Sequence, residues 1–125
     1  MDEKISAIGQ IAITVSDVQK ALGFYRDTLG LPFLFSPSSE LAFLRAGEVR
    51  LMLSTPQGAG QVGANSILYF KTSNIERTHA QIIASGAKDE RSPQLAAKMP
   101  DHELWLSFIR DPDGNLVGLM EEKTE

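Results

Sequence analysis

A chain of 125 residues, 42% hydrophobic and 22% charged, has the composition of one soluble globular domain with a core of its own. Its net charge of −4, with Lys and Arg scattered, argues against a nucleic-acid or anionic-membrane surface, because phosphate binding needs clustered cations. No cysteine means no disulfide, thiolate nucleophile or Cys-bound metal. Acids at the N-terminus and the lack of a long apolar stretch leave a cytoplasmic protein as the expectation.

Residues 8–15 open the chain as a strand, with Ile11, Ile13 and Val15 alternating with Gln10, Ala12 and Thr14. Ser16 is the predicted N-cap of a helix, and Gln19 three places on completes a capping box. Val18, Ala21, Leu22, Tyr25 and Leu29 then recur on one helical face, and Gly30 closes the helix. After Leu31-Pro32 come three β-prone runs, at 33–35, 40–44 and 49–54, with Ala46-Gly47 as a hairpin turn between the last two. The glycine-rich stretch 55–64 reads as a linker.

The order then returns. Residues 66–72 read as a strand, and Ser73 with Glu76 as a second capping box, 57 residues after the first (73 − 16). A helix over 74–85 closes on Gly86. Residues 88–102 read as loop-rich and coil-like, although the repeat calls for a strand there. Strands at 104–110 and 115–121 flank Asp111-Pro112-Asp113-Gly114, which suits a type I hairpin turn with a bulge. The expected architecture is α+β, two βαβββ modules at about 7–54 and 65–122 within a single domain. A duplicated module is expected to build its site where the halves meet.

The phrases Val15-Ser16-Asp17, Phe24-Tyr25-Arg26-Asp27 and Leu29-Gly30-Leu31, and the ending Phe108-Ile109-Arg110-Asp111-Pro112-Asp113-Gly114-Asn115, resemble the vicinal oxygen chelate superfamily. That group includes glyoxalase I, extradiol dioxygenases, methylmalonyl-CoA epimerase and the bleomycin- and fosfomycin-resistance proteins. The resemblance implies paired modules curling their sheets into a cup, commonly within a homodimer. It also implies four inward metal-ligand positions, which fall on Gln10, Met52, Ile67 and Gly118. An amide is a weak ligand, a thioether prefers soft metals, and Ile and Gly offer no donor, so neither the usual metal nor any other cofactor is expected.

Strand parity gives the residues sharing a face with those four positions: Gln10, Ala12, Thr14, Arg50, Met52, Ser54, Ile67, Tyr69, Lys71, Leu116, Gly118 and Met120. The opposite faces are uniformly apolar and suit packing under the helices. Ligand-binding candidates are Gln10, Arg50, Met52, Ile67, Tyr69, Trp105 and Gly118, with Tyr69 and His102 as candidate acid or base. His79 is expected at the edge of a helix–sheet interface, and no serine has an evident His partner. The leading expectation is a glyoxalase/bleomycin-resistance-like protein holding a small organic molecule in a metal-free cup. Its rivals are a metal-independent lyase or isomerase, and a metal-dependent glyoxalase or dioxygenase. No nucleic-acid or membrane partner is expected.

Overall fold

The structure, a computed structural model, describes residues 4–56, 61–63 and 65–124, so the linker stretch lies partly outside the described residues. The chain divides into two compact units, Met1–Gln61 and Val62–Glu125. In the first, strand β1 (Gln10–Thr14) leads into helix α1 (Val18–Leu22) and then β2 (Phe33–Ser38), β3 (Leu41–Ala46) and β4 (Val49–Ser54). The second repeats this with β5 (Leu68–Lys71), α2 (Ile75–Ala84), β6 (Lys88–Lys98), β7 (Glu103–Arg110) and β8 (Leu116–Lys123). Among the described residues no helix is long and apolar enough to cross a membrane.

Each unit is an α+β module with a four-stranded mixed sheet, ordered β1-β4-β3-β2 and β5-β8-β7-β6. The first and last strands of each pair in parallel across the helical crossover, and the remaining pairs are antiparallel. Ala12 lies opposite Met52 in the first sheet, and Tyr69 lies opposite Gly118 in the second. The repeat predicted from the capping motifs is therefore a repeat of topology and register.

Parity decides which face packs. Ile13, Ala42, Leu44, Leu51 and Leu53 are buried with Val18, Ala21, Leu22 and Tyr25 of the first helical segment. Ile109, Val117 and Leu119 are buried with Ile75 and Ile82 in the second unit. Each buried Leu, Ile or Val contributes roughly 1.5–3 kcal/mol relative to exposure, which fixes strand register because a one-residue slip would turn the strand residues among them outward.

Four details depart from the expectation. The N-caps are Asp17 and Asn74, one residue beyond each predicted serine. Asp17 accepts from the backbone N–H groups of Gln19 and Lys20, and Asn74 from that of Arg77. These short side chains reach the first-turn donors while leaving Val18 and Ile75 as buried first helical residues, and the spacing of 57 survives the shift (74 − 17). The second capping box fails as well: Glu76 reaches Lys123, and it is Glu121 of β8 that accepts from the Ile75 N–H, at 2.8 Å.

Helix α1 continues without a break as a π-helical segment, Gly23–Thr28, in which Leu29 N–H donates to Phe24 C=O at 2.8 Å. The wider turn accommodates two consecutive buried rings, Phe24 and Tyr25, packed edge to face with centroids 4.9 Å apart. The segment then ends as predicted on Gly30, at φ +83°, as α2 ends on Gly86, at φ +104°.

The stretch read as coil is instead β6, an 11-residue strand. It lies at the sheet edge, paired only with β7, its register shifting in three places and its residues mostly exposed. With neither face apolar it carries no period-two signal, and Pro93 is tolerated because an edge strand has backbone donors to spare. The equivalent edge strand, β2, likewise contains a proline, Pro37, and is exposed along its length.

Candidate functional site

The faces turned away from the helices carry the polar and aromatic groups. In the first unit, β1 and β4 bring Gln10, Arg50 and Met52 together. Arg50 Nε donates to Gln10 Oε1 at 2.6 Å, and Gln10 Nε2 lies 3.7 Å from the Met52 sulfur. The Arg50 guanidinium lies 5.0 Å from the centre of the Phe43 ring, which stacks in turn on Phe35 at 4.8 Å. Arg45, the direct cross-strand partner of Arg50, shares this face.

In the second unit, β5 and β8 bring Tyr69 over Gly118, with Ile67 just before β5. A Cβ built on Gly118 would lie 2.6 Å from Tyr69 Cδ2, so the ring occupies the space a side chain would need. Tyr69 also meets Phe108 edge to face at 5.8 Å and remains 45% exposed. Farther along the same row Lys71 pairs with Glu122 at 3.3 Å, and His102 Nε2 approaches Glu122 at 3.5 Å while its Nδ1 lies 2.7 Å from Asp101. That hydrogen bond holds the Asp101 carboxyl below its ordinary range. His102 also lines an open depression with Lys98, Met99, Asp101, Glu103 and Lys123.

Trp105 stands apart from this row. Its cross-strand partner is Glu121, and it shares the helix-side face with Ser107 and Ile109. Its indole N–H donates to Glu103 at 3.0 Å, and Lys123 Nζ sits 4.3 Å from the ring centre. The structure thus gathers Gln10, Arg50 and Met52 in one unit, Ile67, Tyr69 and Gly118 in the other with His102 farther along, and leaves Trp105 on the opposite side of its sheet.

A serine does have a His partner. Buried His79 of α2 is bonded through Nδ1 to Ser107 Oγ at 2.9 Å and through Nε2 to Asp89 Oδ1 at 3.0 Å. A carboxylate only accepts, so in the neutral imidazole Nε2 carries the hydrogen and Nδ1 accepts from the serine. The trio has the composition of a nucleophile triad, but Ser107 is 0% exposed and no substrate reaches its oxygen. It is a satisfied polar link between helix and sheet.

The superfamily's metal does not fit the four positions. Gln10 presents its only ligating atom to a guanidinium, Ile67 has no donor, and any ligating side chain at 118 would collide with Tyr69. Among the described residues no three His, Asp or Glu side chains gather as a metal-binding group.

The aromatic and charged neighbours on these faces were missed by sequence reasoning. Counting back through the Ala46-Gly47 turn would have placed Arg45 opposite Arg50 and Phe43 opposite Met52. The same count through the Asp111–Gly114 turn would have placed Phe108 opposite Gly118, whereas Phe35 depends on edge pairing with register shifts and carried no such signal.

Two βαβββ units whose first and last strands pair in parallel, with polar groups on the faces turned from the helices, define the class of this protein. A sequence profile of the Glyoxalase/Bleomycin resistance protein/Dioxygenase superfamily matches residues 7–119, and the chain belongs to that superfamily. It is 27% identical over 124 residues to YraH of Bacillus subtilis (strain 168), covering 86% of this chain and 92% of YraH. Its fold is similar to that of lactoylglutathione lyase from Agrobacterium tumefaciens, with TM-score 0.78, 25% identity and coverage of 94% of this chain and 95% of that one. It is also similar to that of TnmS3, an antibiotic binding protein from Streptomyces sp. CB03234, with TM-score 0.76, 21% identity and coverage of 98% and 100%.

Proposed function

We propose that the protein binds a small organic molecule on the sheet faces turned from its helices, and does so without the superfamily's metal centre. The observation that carries this reading is Tyr69 lying over Gly118: a position that would have to supply a ligand is filled by an aromatic ring. Aromatic and thioether surface with a few polar handles is how small-molecule sites are commonly lined; in the first unit exposed Phe35 and half-buried Met52 stand with Gln10 and Arg50, and in the second Tyr69 presents an exposed ring. The fold already accommodates such a role in TnmS3.

A second reading is a metal-independent lyase or isomerase. It is favoured by His102, whose ring nitrogens lie 2.7 Å from Asp101 and 3.5 Å from Glu122, as those of a base held in position would.

One experiment separates the two. The full chain is screened by thermal shift against small acids, aromatics and antibiotics, and each hit is followed by mass spectrometry over time. A hit that raises the melting temperature and is recovered unchanged supports binding, and one that is consumed supports the enzyme. Stoichiometric divalent metal in the purified protein, with activity lost on chelation, would overturn both readings.

A further inference from the structure

The faces turned from the helices are not equally charged. Arg45 and Arg50 are direct cross-strand partners on neighbouring strands, so two guanidinium-bearing side chains project from the same face of the first sheet. Like charges directly opposite each other in a sheet are destabilising, and the arrangement normally calls for an acid nearby. None is present: among the described residues neither arginine forms an ion pair, although Arg26, Lys71, Arg110 and Lys123 all do.

Arg50 is moreover oriented. Its Nε is bonded to Gln10 and its Cζ lies over the Phe43 ring, and both Nη groups are without a hydrogen-bond partner among the described residues. A guanidinium fixed at Nε with its terminal nitrogens free is set to receive a planar oxyanion through paired hydrogen bonds. Beside it, Phe35 stacks on Phe43 and leaves 48% of its own surface exposed, an apolar platform continuous with the cationic one.

From this juxtaposition we infer that the first unit binds an organic carboxylate with a flat apolar body, the carboxylate on Arg50 and Arg45 and the body against Phe35. The inference rests on the small-molecule reading above and names the ligand class for that site. The bound anion would also relieve the repulsion between the two arginines.

The test uses three probes on the full chain: 2-naphthoate, 2-naphthamide and inorganic phosphate. Binding is read from the Arg Nε–H signals in 15N-correlated NMR spectra. Naphthoate is expected to bind about tenfold more tightly than the amide, with both arginine signals shifting, since a charge-assisted pair has about twice the strength of a neutral one. Arg50→Gln and Arg45→Gln should bring the ratio toward one. Arg50→Lys, which keeps the charge but loses the fork, should fall between. Because both arginines are exposed, the melting temperature should change little in any variant.

Equal binding of acid and amide overturns the carboxylate site but leaves the broader binding reading standing, provided a neutral compound binds in the thermal-shift screen. Phosphate shifting the arginine signals as strongly as naphthoate marks a free-anion site and overturns the organic ligand. Neither naphthoate nor the amide moving the signals overturns the inference. A screen without a single hit overturns the broader reading itself.

Discussion

Tyr69 and Gly118 are cross-strand partners in which the ring of one fills the space that a side chain on the other would need, a methyl group on Gly118 standing 2.6 Å from the ring. Gly118→Ala should therefore cost about 1–3 kcal/mol, or force the ring off its place, because overpacked contacts relax only by shifting backbone or rotamer. Adding Tyr69→Ala should remove that penalty, so the pair is strongly non-additive in a double-mutant cycle. Urea unfolding of the four proteins measures this. Gly118→Ala unfolding at the parent's denaturant concentration would show that the contact does not constrain the site.

The link through His79 should behave as structure. His79→Ala leaves the Ser107 hydroxyl buried without its imidazole partner and opens a gap under α2, at an expected cost of about 2–3 kcal/mol. Asp89→Ala should cost well under half of that, because the Asp89 side chain is 49% exposed and water replaces the lost bond. A fluorophosphonate that labels reactive serines should leave Ser107 untouched in the folded protein. Stoichiometric labelling there would make the trio a catalytic centre.

Asp111 holds the β7–β8 turn. Its Oδ1 accepts from the N–H groups of Asp113 and Asn115, and its Oδ2 accepts from the Asn115 side chain, all within 2.9 Å. Asp111→Ala removes the acceptor of all three, two of them donated by buried Asn115, and should destabilise the protein by about 2–4 kcal/mol. Thermal and chemical unfolding should agree on the loss, and hydrogen exchange should speed up first at Gly114 and Asn115.

One ion pair predicts a pH response with a definite sign. The hydrogen bond from Lys123 holds the Glu76 carboxyl below its ordinary range, and Glu76 in turn raises Lys123. A lowered carboxyl pKa adds stability that is present above the ordinary carboxylate range and lost as pH falls through the lowered value. A raised lysine pKa adds stability below the ordinary lysine range, lost as pH rises through the raised value. In Lys123→Met the Glu76 midpoint, followed by 13C NMR of its carboxyl, should move upward toward an unpaired glutamate. Because Glu76 is more than half exposed, the change in global stability should be small.

Most of the fold was legible because its signals are local. The alternation of residues 10–14, the helical face of Val18, Ala21, Leu22 and Tyr25, and the Asp111–Gly114 turn each depend on neighbours a few places apart. β6 was not legible, since a polar edge strand is held by backbone bonds to β7, and those bonds leave no pattern in side-chain chemistry. The caps were misplaced by one residue for a similar reason. Ser16 and Asp17 are both competent caps, and only the burial of Val18 as the first helical residue decides between them.

The sequence by itself determined the two modules, the faces that β1, β4, β5 and β8 turn to the helices, and the residue types at the four family positions, because periodicity and spacing carry that information along the chain. Only the tertiary structure decided what those positions do. That Tyr69 fills the space above Gly118, that Arg50 is turned by Gln10, and that Trp105 faces the helix side are consequences of strand pairing. Pairing joins residues tens of positions apart, and their contacts are settled by register and packing.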